Sequence, residues 1–434
     1  MNKYCIYLIV LVSLLQSCIE ETDFSVVDPD NALDVLVVDA MLTDEIKTHT
    51  ITLSTLDTIL DLRTDTPFNP FEDLQGSDKD LVNYVEDAEV FVVSSTGENI
   101  RFNETSPGIY ESEISFGALP NVSYNLSITA NGKNYSSRAM KIEGSSQISD
   151  FYAERTTNDK GEEGIGIFVN SSIQNATTSN LRFNFLETFK IVAPNWTPLD
   201  FKLTDYDPCA LPVPTYTLEI VDREEEQQVC YANVASNGII QALQEDFQNT
   251  DEIRLMVNFL SKDNFKISHR YSIELSQMSV GIESYGFYDK LRLFSESDNI
   301  LSQVQPGFIE GNIQADDGST GTVIGFFDVA SVEKQRLFFN YTDFYPDEPL
   351  PPYPFPCNIQ SSRESHESYC NSGPSGGTTC PLSIVEKVAQ GNISYIGTND
   401  SDIGVCPGPY TYVDRFCGDC TALGSNVVPD FWIE

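Results

Sequence analysis

Positive charge is scarce in this chain. Only 25 Lys and Arg stand against 65 Asp and Glu in 434 residues, a formal net charge of -40. A surface that negative repels phosphate backbones and anionic lipid headgroups, which excludes nucleic acid as a partner. Histidine is rarer still: His49, His269 and His366 are the three. No His-Glu-x-x-His helix or Walker loop occurs, and a triad needs nucleophile, base and orienting acid together. The carboxylates are too many for any pair to single itself out as a glycosidase couple. We therefore expect no catalytic residue, no cofactor and no metal site, with the histidines structural or surface-exposed. Long apolar runs are missing as well. The longest, Ile6 to Leu15, is interrupted by Tyr7 and Ser13, and a spanning helix needs about 20 residues.

That short run has its own meaning. Lys3 ahead of it and Ser17 behind it make residues 1–17 a signal peptide. Leu15-Gln16-Ser17-Cys18 resembles the bacterial lipobox, in which the cysteine is acylated and becomes the new N-terminus. Cys18 is thus the expected lipidation site. Several acyl chains hold a protein stably where one holds weakly, so the chain is expected to be anchored to a membrane without crossing it. Glu20, Glu21 and Asp23 follow directly. Acidic residues there resemble the surface-export signal of Bacteroidota lipoproteins, which implies the outer membrane with the protein facing the cell exterior. Residues 18–31 read as an acidic tether.

Beyond the tether the chain reads as mainly β. "LDVLVVDAML" and "THTITLS" form a hairpin around "TDEIK", and Asp57 to Asp80 is a long polar loop. From Ala88, alternating runs recur between "TGEN", "TSPG", "ALPN" and "NGK" turns. Asn131-Gly132 supplies the positive φ of a tight hairpin. This spacing predicts an immunoglobulin-like β-sandwich over 32–145. A boundary at "EGSSQ" leads to a larger β-rich domain over 148–434. Helices are expected in "SNGIIQALQEDF" and over Val280 to Ser297, where Phe287, Leu291 and Phe294 share a face. "GTVIGFFDVAS" and "KQRLFFNY" read as another hairpin.

Ten cysteines are present; Cys5 leaves with the signal and Cys18 takes the lipid. The other eight suit disulfides in an exported chain. Cys209 and Cys230 flank a hairpin and are expected to pair with each other. Pairing among Cys357, Cys370, Cys380, Cys406, Cys417 and Cys420 stays open, within a disulfide-bonded C-terminal region. Cys417-Gly-Asp-Cys420 also has the spacing of a redox pair or half a zinc site. It lacks a thioredoxin-like context, and structural disulfides are the expectation. The Asp-rich turns "ADDGSTG" and "DPDNALD" do not match a calcium loop. "FNYTDFYPDEPLPPYPFP" cannot be a central strand, because proline lacks the ladder donor. Its Phe344, Tyr345, Tyr353 and Phe355 are candidate partner contacts.

"LVVDAMLTDE", "VQPGFIEGNI", "VIGFFDVASVEKQRLFF" and "CGDCTALGSNVVPDFW", in that order, together resemble the Bacteroidota surface-lipoprotein family of unknown function four-two-four-nine, often encoded beside TonB-dependent receptors. The resemblance implies a non-catalytic accessory, a cap or substrate-capture subunit, of an outer-membrane β-barrel, in the first place a TonB-dependent transporter. Two alternatives stay open: a subunit of an outer-membrane assembly or secretion complex, and a standalone surface protein binding glycan or peptide. The Pro-rich segment and the cysteines before residue 380 are longer than that family pattern.

Overall fold

The computed structural model describes residues 35–55, 83–174, 180–243, 252–295, 309, 311–319, 323–365, 382–404 and 406–434. Cys18, the tether, the expected loop at 57–80, His366, Cys370 and Cys380 lie outside them. The fold is mainly β, as the turn spacing predicts. The first strands are β1 (Leu36–Thr43), β2 (Thr50–Thr55), β3 (Asn83–Tyr84), β4 (Glu89–Ser94), β5 (Asn99–Ser106), β6 (Ile109–Ser112), β7 (Tyr124–Ala130) and β8 (Lys133–Ser137). Next come β9 (Ser145–Thr157), β10 (Glu163–Gln174), β11 (Asn180–Val192), β12 (Leu199–Asp207), β13 (Thr215–Asp222), β14 (Val229–Ala235), β15 (Ile240–Leu243), β16 (Glu252–Ser261) and β17 (Arg270–Val280). Helix α1 (Ile282–Ser295) precedes β18 (Ile313–Ala315), β19 (Val323–Asn340), β20 (Ile393–Thr398) and β21 (Tyr410–Asp414). At the "NGK" turn both Asn131 (φ 51) and Gly132 (φ 74) are left-handed, as the hairpin demands.

Fourteen strands join in one sheet, ordered β14-β11-β17-β19-β1-β2-β6-β5-β4-β7-β8-β18, with β15 on β11 and β3 on β2. The expected hairpin after residue 321 is one uninterrupted 18-residue strand, β19. "SVEKQ" carries charge but no glycine, proline or asparagine to supply a turn conformation, so the strand runs on. Its first half lies parallel to β1, Val323 opposite Leu36 through Ala330 opposite Thr43. Its second half lies antiparallel to β17, Ser331 opposite Ser279 through Asn340 opposite Arg270. The expected helix in "SNGIIQALQEDF" is also corrected: Ile240–Leu243 is β15, paired with β11 through Phe183 and Ile240. Ala242 is buried there, and pairing with the buried Asn180–Phe183 end of β11 outweighs local helix preference.

Two main cores result. The first collects Leu36, Val38, Leu53, Val92, Phe102, Tyr110 and Leu126, and is completed by Ile313, Val323 and Phe327 from far along the chain. The "EGSSQ" boundary falls where β9 begins, yet the N-terminal core does not close from residues 32–145 alone. Asn312 makes the closure. Its side-chain amide donates to Phe327 O (2.8 Å) and its Oδ1 accepts from Phe327 N (2.8 Å), standing in for a strand between β18 and β19. The approach is tight: a Cβ at Gly311 would lie 1.6 Å from Gly325 O. The "GNI" and "GFF" glycines of the motifs are thereby explained. Helix α1 forms where its spacing predicts and sets Phe287 against Phe326 at 5.6 Å.

The second core is sandwiched between the three-stranded sheet β16-β10-β9 and the β14-β11-β17-β19 end of the large sheet. Ile165, Ile167 and Val169 of β10 bury with Phe183, Phe189, Ile273 and Leu275. One charge enters it. Glu187 accepts from Tyr271 Oη (2.6 Å), Lys266 Nζ (2.8 Å) and Asn258 Nδ2 (3.1 Å), so the buried carboxylate is both hydrogen-bonded and paired. Burial, then the Glu187 charge, pushes the Tyr271 phenol well above its ordinary range.

Two outcomes test this packing. Asn312→Ala leaves a buried N–H and C=O of Phe327 unpaired, at about 1–3 kcal/mol each. Chemical denaturation should show a loss of about 2–4 kcal/mol; a loss below about 0.5 kcal/mol would deny the bridge its role. His49 supplies the second. It is 1 % exposed, its Nε2 lies 2.9 Å from Phe116 O, and its Nδ1 has no partner among the described residues. Burial holds its pKa below the ordinary histidine value, because the protonated ring would bury an unpaired N–H. The unfolded chain then binds the proton first. Stability should therefore be full above about pH 6.5 and fall as pH drops through the lower folded value. His49→Gln should flatten that part of the denaturation-versus-pH curve.

Candidate interaction surface

The C-terminal quarter is assembled by cystines. Cys230 on β14 is bonded to Cys420, and Cys357 to Cys417, each with Cα atoms 5.6 Å apart. The expected Cys209–Cys230 pair is thus corrected. The hairpin that the two cysteines were thought to flank is β12–β13, and Cys209 lies in its turn, exposed, a full strand length from its base. Cys230 sits opposite Ile191 in the β14–β11 ladder with its side chain in the second core. Cys209 and Cys406 each take part in a disulfide as well. Cys417 and Cys420, both fully buried, fork to two different partners across Gly418 and Asp419, so the Cys-x-x-Cys spacing serves structure. The chain-entropy model gives about 5 kcal/mol for a loop the size of Cys230–Cys420 and about 4 kcal/mol for Cys357–Cys417.

The Pro-rich segment is strapped across this end. Ser268 Oγ donates to Pro351 O (3.1 Å), and Tyr353 Oη donates to Phe416 O (2.7 Å). Phe355 packs on Phe416 at 4.1 Å, Phe344 on Phe339 at 5.3 Å, and Tyr345 stacks on Tyr341 at 5.0 Å. The four aromatics expected as partner contacts therefore face their own core: Tyr345 is 1 % exposed, and Phe344, Tyr353 and Phe355 are half-buried. Burial raises the Tyr353 phenol far above its usual range.

A cavity opens on each flank of the strap, and the two share Leu350 and Pro351. One, about 250 Å³, is mostly apolar, with Ile191, Val192, Phe265 and Tyr353 in its walls and Lys190 and His269 at its edge. Burial, then the Lys190 charge, lowers the His269 pKa. The other, about 680 Å³, is ionic. Lys262 reaches Glu348 and lies 5.2 Å over the Tyr345 ring, and Arg155 pairs with Glu163 and stacks on the same ring at 4.5 Å. The Glu348 contact raises the Lys262 pKa. These cations are committed to intramolecular partners, so the surface can hold shape more readily than it can attract an anion. His49 belongs to the first core and His269 to the edge of the second. Among the described residues no three His, Cys, Asp or Glu converge as a metal site. Sequence reasoning missed the strap's inward packing and the outer edge of β13, which is unpaired among the described residues. Alternation in "TYTLEIVD" was the available signal for that edge.

A disulfide-stapled, two-core β protein of this design is what the fold and the site define. The chain belongs to the family described as domain of unknown function (DUF4249), whose model matches residues 21–336. The matched span ends inside β19, before the Pro-rich strap and the Cys417–Cys420 fork. No curated protein matches the chain. Among solved structures, the crystal structure of a DUF4785 family protein from Legionella pneumophila aligns at 11% identity with a TM-score of 0.15. The alignment covers 56% of this chain and 51% of that one, so the chain spans about half the length of the structure it matches. A score that low carries no argument.

Replacing Cys230 and Cys420 together by serine should cost about 2–5 kcal/mol and release Leu423 and Ser425 from β14. Thermal unfolding and limited proteolysis should show a lowered midpoint with new cleavage after residue 415. An unchanged midpoint would mean the second core holds that end without the cystine.

Proposed function

We propose that the protein is a lipid-anchored outer-membrane lipoprotein, displayed at the cell exterior, that works by binding as the accessory of a β-barrel. A TonB-dependent transporter is the first candidate for the barrel. The observation that carries the reading is Cys18 in its setting, Leu15-Gln16-Ser17-Cys18 followed by Glu20, Glu21 and Asp23. The buried cystines support it, because such bonds persist in exported proteins and are rare where thiols are kept reduced. The fold starts at β1, 18 residues after Cys18. At about 3.3–3.6 Å per residue that length allows up to about 60 Å of reach, enough to place the cores over a neighbouring barrel. No helix among the described residues is long and apolar enough to cross a membrane.

The test has two stages. Metabolic labelling with a palmitate analogue should mark the wild type and fail on Cys18→Ser, which should leave the membrane fraction. The wild type, extracted in mild detergent, should then carry a barrel protein at near-equal stoichiometry. Labelling that survives Cys18→Ser would remove the anchor. A lipoprotein that emerges alone under several gentle conditions would remove the accessory role.

A further inference from the structure

The β12–β13 hairpin stands out from both cores as a separate two-stranded sheet. Its inner face is anchored: Phe201 and Leu218 pack with Ile384, Ile393 and Tyr412, and Tyr216 Oη donates to Glu364 Oε1 at 2.7 Å. The hairpin is therefore held in place, while β13 pairs with β12 alone among the described residues.

The phase of the ladder says which groups face outward. Arg223 N donates to Pro198 O at 2.9 Å, one step beyond the Leu199–Asp222 pair. In an antiparallel ladder alternate residues turn both backbone groups toward the partner. Residues 217, 219 and 221 thus point at β12, and Tyr216, Leu218 and Ile220 point away from it. None of these outward N–H and C=O groups has a backbone partner among the described residues. Natural sheets blunt such an edge with proline, lysine or a bulge. From Thr215 to Asp222 the strand has no proline and no lysine, and its one irregularity lies at the Thr204/Asp207 end, by the turn.

Charge selects the occupant. Glu219 is exposed on the outer face, Asp222 ends the strand, and Glu224 and Glu225 are exposed just beyond it. The nearby Arg223 is spent on Asp200 at 2.8 Å with its side chain 3% exposed, which leaves Lys202 opposite Glu219. A second copy laid edge to edge would set the same acidic run against itself, and like charges across strands repel.

We propose that the outer edge of β13 accepts an extended, basic segment of another polypeptide as an added strand. Its backbone bonds to Tyr216, Leu218 and Ile220, its apolar side chains lie over the inner face, and its lysines or arginines lie on the outer face beside Glu219, with Glu224 and Glu225 just beyond. Main-chain bonds supply affinity in this mode and alternate side chains supply selectivity. The proposal stands on the edge itself and holds whether or not the partner is a barrel.

The full chain in mild detergent would be titrated with three blocked eight-residue peptides: alternating valine and lysine, alternating valine and glutamate, and alternating proline and lysine. The valine–lysine peptide should bind at least about tenfold tighter than either of the others, a difference of about 1.4 kcal/mol, and slow amide exchange at Leu218 and Ile220. Ile220→Pro removes an outward N–H that the hairpin does not use, and should abolish that binding. Glu219→Lys, on an exposed side chain, should weaken it about tenfold. Circular dichroism on both variants would confirm that the fold is kept. Equal binding of the proline–lysine peptide would overturn the proposal by reducing the effect to bulk charge. Unaltered exchange at Leu218 and Ile220, or no loss with either folded variant, would overturn it as well.

Discussion

The architecture depends on one strand doing two jobs. β19 gives its first half to β1 and its second half to β17, so a single run of backbone is a wall of both cores. A parallel partner for β1 must come from far along the chain, because parallel strands need a long crossover. Here the crossover contains β9 to β17, most of the second core. The N-terminal core is consequently open until Ile313, Val323 and Phe327 arrive, and the Asn312 amide closes its last gap. Such long-range pairing is slow to form. It also links the N-terminal strands to the far end of the chain, since β19 is shared by both cores.

The cystines extend the same logic to the C-terminus. β19 ends at Asn340, and the chain beyond it has few long strands with which to hold itself. Cys357–Cys417 and Cys230–Cys420 substitute covalent links for ladder bonds. Aromatic rings of the proline strap fill the space between these links and the second core. What remains outside is acidic: the exposed face of the hairpin and the run behind it. For a protein with so few cations, that arrangement favours partners that bring positive charge of their own.

Much of this was legible in the sequence, for local reasons. The short hairpins were set by their turns, and Asn131-Gly132 adopts the backbone that its residue types predict. Helix α1 followed from Phe287, Leu291 and Phe294 at helical spacing. The failures share a cause, which is that the deciding contact lay far away. "GTVIGFFDVAS" and "KQRLFFNY" read as a hairpin, while the pairing of Ser331 with Ser279 through Lys334 with Ser276 keeps the stretch between them extended. Cys209 and Cys230 are near in sequence, but a hairpin between them carries Cys209 away and leaves Cys230 beside Cys420. Phe344, Tyr345, Tyr353 and Phe355 have a composition that suits an interface or a core equally well, and the core took them. The motifs at Gly311, Asn312 and Gly325 carry the family resemblance, but their purpose, a backbone approach too close for a side chain at Gly311, depends on a contact with β19 that no local pattern encodes.

The most direct measurement would compare two soluble fragments by thermal unfolding and amide-proton spectra. One holds residues 35–145; the other holds the same residues joined by a flexible linker to residues 311–331. If β19 completes the first core, the short fragment lacks a cooperative transition and dispersed amide signals, and the linked fragment shows both. A short fragment that unfolds cooperatively by itself would contradict the dependence of the first core on β19.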